Sequence, residues 1–67
     1  MCFTKNPYCD VWICDDYPSV YVQHDRLRRD YVVVIRGHDT AAERAETLPE
    51  AKEAAREIAA MDALGKY

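Results

Sequence analysis

The stretch HDRLRRDYVVVIRGHD, residues 24–39, carries the dipeptide His-Asp at both ends. Between the first copy and the unbroken apolar run Val32 to Ile35 lie three arginines. Three readings compete for it: a metal site, a nucleic-acid grip, or a strand. The run decides for the strand. Apolar side chains at consecutive positions suit a strand buried on both faces, so YVVVIR reads as the central and most buried strand of a sheet. Gly37 then lets the chain turn.

Upstream, VYVQH (20–24) alternates, with Val20 and Val22 against Tyr21 and Gln23, and DRLRRD interrupts it before the next run. In CDVWIC (9–14) Val11 and Ile13 share one face and Trp12 and Cys14 the other, and the turn-rich DDYPS follows. Downstream, TAAERAE (40–46) reads as an edge strand with Ala41, Glu43 and Ala45 on one face. A short helix capped by Thr40, with Glu43 three residues on, is the alternative.

The next signal is stronger. Thr47 followed by Glu50 is a capping box, and Pro49 falls in the first turn, where a missing N–H costs nothing. Leu48, Ala51, Ala55, Ile58 and Met61 recur at helical spacing, Leu64 extends that side, and Gly65 supplies a stop. Ala51, Ala54 and Ala55 let the helix sit close to the sheet, with Ile58, Met61 and Trp12 filling the wider end. The expected fold is α+β: a three- to four-stranded antiparallel meander with one C-terminal helix packed on one face, a single domain over residues 1–67.

Composition bounds the function. A chain of 67 residues buries a smaller fraction of its surface than a full-sized domain, so a homodimer, or docking on a larger partner, is expected. Little chain remains to wall a cleft once one sheet and one helix are built, which argues against an enzyme. The net charge of −3 argues against direct nucleic-acid binding and for a partner with a basic surface. Cys2, Cys9 and Cys14 leave one thiol over from any disulfide, so a reducing cytoplasm is the simpler location. MCFTKNPYC has no charged start followed by a long apolar stretch, and no apolar run is long enough to span a bilayer. A soluble, unprocessed and complete small gene product is expected, of a size frequent in phages and mobile elements.

The segment Tyr31 to Met61, YVVVIRGHDTAAERAETLPEAKEAAREIAAM, resembles the strand-to-helix half of HicB-type antitoxins, with TLPEA (Thr47–Ala51) in the place of their T-x-x-E-A helix start. The resemblance implies a small cytoplasmic sheet-and-helix domain with an antitoxin or nucleic-acid accessory role. In size, acidity and organisation the chain is also similar to small phage proteins such as anti-CRISPR inhibitors, a class that no residue motif defines.

In an up-down-up meander Cys9 and His24 fall at one sheet end, and Cys14 and His38 at the other. Six strand steps, or roughly 20 Å, then separate the histidines, so they cannot share an ion. Neither end offers the four ligands of a closed zinc site, and neither a metal nor another cofactor is expected. Cys14, His38 and Asp39 could meet as nucleophile, base and orienter, but Asp15 and Asp16 beside Cys14 oppose the thiolate a reactive cysteine needs. No catalytic residue is assigned.

Arg26, Arg28 and Arg29, near Tyr21 and Tyr31, could grip phosphate. Asp25 and Asp30 bracket them, however, which suits a solvated loop with Leu27 tucked under the sheet. Glu46, Glu50, Glu53 and Glu57 recur at spacings of four, three and four along one helix face, with Glu43 as a fifth acid, and Lys52 and Arg56 lie on a neighbouring flank. Tyr8, Trp12, Tyr17, Tyr21 and Tyr31 exceed what one small core can bury, and exposed aromatics beside arginine are hot-spot composition. The expected working surface is Glu46, Glu50, Glu53 and Glu57 with Tyr17, Tyr21 and Tyr31. It would occlude the basic surface of a larger protein or ribonucleoprotein complex, in the manner of a phage or mobile-element inhibitor. The alternative is an antitoxin-like or nucleic-acid accessory protein using Arg26, Arg28 and Arg29.

Overall fold

The computed structural model describes residues 3–38 and 41–65. The chain forms β1 (Phe3–Lys5), β2 (Val11–Cys14), β3 (Val20–Asp25), β4 (Asp30–Ile35), β5 (Glu43–Ala45) and α1 (Leu48–Ala63). The strands pair in chain order, each antiparallel to the next, so the sheet is a five-stranded meander. This corrects the three to four strands expected. The additional strand, β1, spans three residues and has one apolar side chain, too little for an alternation signal. It is held by pairing with β2, from Phe3 opposite Cys14 to Lys5 opposite Trp12. The ERA segment is the edge strand, pairing with β4 from Tyr31–Ala45 to Val33–Glu43.

Pairing register sorts the side chains. Val22 lies opposite Val33 and Val20 opposite Ile35, and these four are fully buried beneath α1 together with Ala51, Ala55, Ile58 and Ala59. Trp12, Tyr17, Tyr31 and Phe3 pack around this centre. Three alanines on the buried stripe bring the helix axis close to the sheet. Ile58 is its one large fully buried side chain. Met61, 43% exposed, and Leu64, 71% exposed, do not continue the stripe as expected. Asp62, four residues after Ile58, takes the inward position at the last turn and accepts a hydrogen bond from the Tyr17 hydroxyl.

The helix starts where the capping box puts it. Thr47 is extended (φ −125°, ψ 156°), and its hydroxyl accepts the Glu50 N–H at 3.4 Å. Gly37 adopts φ 94°, the left-handed conformation in which the chain leaves β4. A cap by Thr40 and the orienting role of Asp39 fall on residues outside those described. No helix among the described residues is long and apolar enough to cross a membrane.

Candidate functional site

Three surfaces carry the residues of interest, and the meander puts them in different places. The first is a groove of about 400 Å³ between the β5 edge and α1. Glu43 reaches it from the strand, and Glu50, Glu53 and Glu57 from the helix, with Ala45 and Ala54 among its lining residues. The acidic row arises because Ala51 and Ala55 point into the core, which turns the opposite side of the helix, leaning toward β5, outward. Glu46 and Glu50 line an adjoining hollow beside Asp30. Lys52 and Arg56 project toward the other flank, where each cation lies 5.9 Å from the Phe3 ring centre. The two signs of charge on the helix are therefore separated by the helix itself; the cation on the acidic side is Arg44 of β5, which lines both hollows and is paired with Asp25 and Asp30.

The second surface is the end of the sheet that carries the β1–β2 and β3–β4 turns. Arg26 binds Asp10 at 2.8 Å, with Lys5 3.9 Å away on the same carboxylate. Arg44 bridges Asp25 at 3.2 Å and Asp30 at 3.1 Å. The Arg26 guanidinium holds the Asp10 carboxyl below the usual carboxylate range. The Arg28 backbone N–H, followed by the Arg44 guanidinium, does the same for Asp25. The Asp25 carboxylate accepts the N–H groups of Leu27 and Arg28, winding the tip into an Asx turn, and Arg29 closes it at φ 59°. Leu27 is 97% exposed at this tip, which corrects its expected place under the sheet: it stands at the end of the sheet and is not packed in the core.

The proposed arginine grip is thus divided. Arg26 is committed to Asp10, while Arg28 and Arg29 are exposed and make no ion pair among the described residues. Tyr31 belongs to the helix-facing side of the sheet. It stacks on His24 at 4.7 Å between ring centres and meets Trp12 edge-on at 5.9 Å.

No family model, curated protein or solved structure matches this chain.

The third surface is the side of the sheet that α1 leaves uncovered. Tyr21 stands there between Ile13 and Val34. Tyr17 sits elsewhere again, half-buried and bonded to Asp62, which raises the phenol above its ordinary pKa. The four helix and β5-end acids of the expected surface therefore come together, whereas its three tyrosines lie on three separate parts of the molecule. Among the described residues the fully presented tyrosine is Tyr8, 95% exposed at the β1–β2 turn. A signal for it existed in Asn6-Pro7, which marks a turn, and the Asn6 side chain accepts the Tyr8 N–H at 2.8 Å.

The cysteines and histidines also separate. Cys9 is exposed in the turn before β2 rather than within a strand, and Cys14 is buried at the opposite end of β2. His24 lies 3.7 Å from Asp10 at the turn end, while His38 follows the end of β4 and is exposed. Among the described residues no three His, Cys, Asp or Glu side chains converge as a metal site would need.

Proposed function

We propose that this protein acts by binding, using the acidic groove between β5 and α1 to cover a basic surface of a larger, nucleic-acid-handling protein or ribonucleoprotein complex. The observation that carries this reading is the convergence of Glu43, Glu50, Glu53 and Glu57 on one groove, against a single lining cation, Arg44, whose charge Asp25 and Asp30 already take up. Arg26 and Arg44 are held by aspartates, and Lys52 and Arg56 are turned toward Phe3. A predominantly acidic groove of this kind imitates a phosphate row, steers a cationic partner on approach and rejects other acidic surfaces. An inhibitor of the anti-CRISPR kind is the specific form of the proposal. Glu50, Glu53 and Glu57 carry it, with Glu43 and Glu46 extending it along β5 and its end.

A second reading is favoured by Arg28 and Arg29, exposed on a turn beside Leu27 and able to meet phosphate, as an antitoxin-like accessory protein would. One experiment separates the two. Charge reversal of Glu50, Glu53 and Glu57 abolishes capture of the partner from host lysate under the first reading, and reversal of Arg28 and Arg29 leaves it intact. A salt-sensitive gel shift of random DNA or RNA, lost on arginine reversal, establishes the second reading instead.

A further inference from the structure

β4 is apolar at consecutive positions, yet α1 covers only one side of the sheet. Val33 and Ile35 face the helix, so Val32 and Val34 face away from it. β2 repeats the pattern: Trp12 and Cys14 lie on the helix side, Val11 and Ile13 on the other. The register lines these outward residues into two rows across the sheet. One runs Ile13, Tyr21, Val34, and the other Val11, Gln23, Val32, Arg44. An antiparallel sheet with a wetted face carries polar residues at these positions. Here five of the seven are apolar; Val32 is already buried, whereas Val11, Ile13, Tyr21 and Val34 keep part of their surface in solvent.

At the turn end of this face lies a hollow of about 600 Å³. Val11, Gln23 and Val32 contribute to its lining, and so do Tyr8 and Leu27 from the two turns. These two are the most exposed large apolar side chains among the described residues. We infer that the uncovered face is a dimer interface that takes a second copy of this chain, the two sheets packing face to face about a two-fold axis.

Three observations select a second copy over another partner. A two-fold axis sets each surface patch against itself, so a face with unpaired charge of one sign repels its own image. The arginines among the strand and turn residues of this face are paired within the chain, Arg44 with Asp25 and Asp30 and Arg26 with Asp10 at its edge, which leaves these groups only one net negative charge. The Thr4 hydroxyl is satisfied by Asp15. The acidic groove, by contrast, lies on the helix side, and its unbalanced carboxylates remain clear of the partner copy.

Shape is the second observation. Tyr8 and Leu27 stand at the hollow at one end of the face, and the Ile13–Tyr21–Val34 row lies toward the other. An antiparallel two-fold lays the hollow end of each copy over the Ile13–Tyr21–Val34 end of the other.

Area is the third. The 22 strand residues, at about 3.3 Å along each strand and 4.8 Å between strands, give a sheet face of roughly 350 Å². Tyr8 and Leu27, with nearly all of their side chains in solvent, add roughly 300 Å². About 1,300 Å² in total is then buried by two copies, at the lower end of the range for specific interfaces. A dimer that separates on dilution through the micromolar range is expected.

Sedimentation equilibrium of the purified chain from about 1 µM to 1 mM tests this without any other partner, so its outcome is independent of the acidic-groove proposal. The expected weight-average mass rises from the 7.7 kDa chain toward twice that value. Leu27→Asp and Tyr8→Asp change exposed turn residues and leave the circular dichroism spectrum unchanged. Each is expected to weaken association at least tenfold, and Val34→Lys to abolish it, while Glu53→Lys leaves it intact. A single-chain mass at every concentration overturns the inference, and so does a dimer undisturbed by both turn variants.

Discussion

Ile58→Ala tests how the helix is seated. Ile58 is 5% exposed, and the other fully buried residues of α1 are alanines, so this one side chain supplies most of the large apolar anchoring between helix and sheet. The substitution deletes three carbons. At about 0.8 kcal/mol for each buried methylene equivalent, the transfer loss is near 2.4 kcal/mol. An unfilled cavity adds to it, and the measured range for such truncations is about 2–5 kcal/mol. Alanine returns roughly 0.4 kcal/mol through its better helix propensity. A net loss of about 3 kcal/mol is expected.

For a chain of 67 residues, whose whole stability is on the order of 3–10 kcal/mol, that loss removes a third or more. It lowers Tm by roughly 12–24 °C. Urea unfolding, followed by helix ellipticity and by Trp12 fluorescence at one fixed protein concentration, measures it. Leu64→Ala, at a side chain 71% exposed, is the matched control and is expected to cost less than about 0.5 kcal/mol. A loss below about 1 kcal/mol at Ile58, or equal losses at the two positions, would refute the packing of α1 against Val22, Val33 and Ile35.

Thr47→Ala removes the hydroxyl that accepts the Glu50 N–H and should cost about 1 kcal/mol, with Thr47→Ser restoring most of it in the same urea assay. Arg29 occupies the left-handed region at φ 59°, so Arg29→Val should destabilise the β3–β4 turn by about 1–2 kcal/mol; Arg29→Lys, equally free of branching at Cβ, is the neutral comparison. The carboxyls of Asp10 and Asp25 titrate below their ordinary 3.8 in the folded chain, so their contribution is present above that value and lost as pH falls through the lower folded values. Thermal melts from pH 6 to pH 2 should show the decline, and a combined Arg26→Met, Arg44→Met variant should flatten it. Tyr17 has the opposite sense. Its phenol is raised above 10.0, so the contribution of its bond to Asp62 is complete below pH 10 and is lost as pH rises further; a Tyr17→Phe variant should lack that alkaline component.

The local elements were legible in the sequence because each rests on short-range physics. Thr47, Pro49 and Glu50 set the helix start through backbone capping, and Gly65 follows its end with φ 73°, whatever the rest of the chain does. The alternation in VYVQH and the apolar run at Val32–Ile35 marked two strands for the same reason. β1 was not legible, since three residues with one apolar side chain become a strand only when β2 offers an edge to pair with.

What only the tertiary structure decided is which side of each element meets which neighbour. Helical spacing aligned Glu46, Glu50, Glu53 and Glu57, but the docking of α1 beside β5 brought Glu43 to them and turned Lys52 and Arg56 away. Tyr17, Tyr21 and Tyr31 are alike in composition, yet a bond to Asp62, a place on the uncovered face and a stack on His24 give them unrelated surroundings. The run Tyr31–Ile35 called for cover on both sides, and a single helix can cover one. Pattern reports how much apolar surface a strand presents, whereas the number of layers available to bury it is a property of the assembled chain.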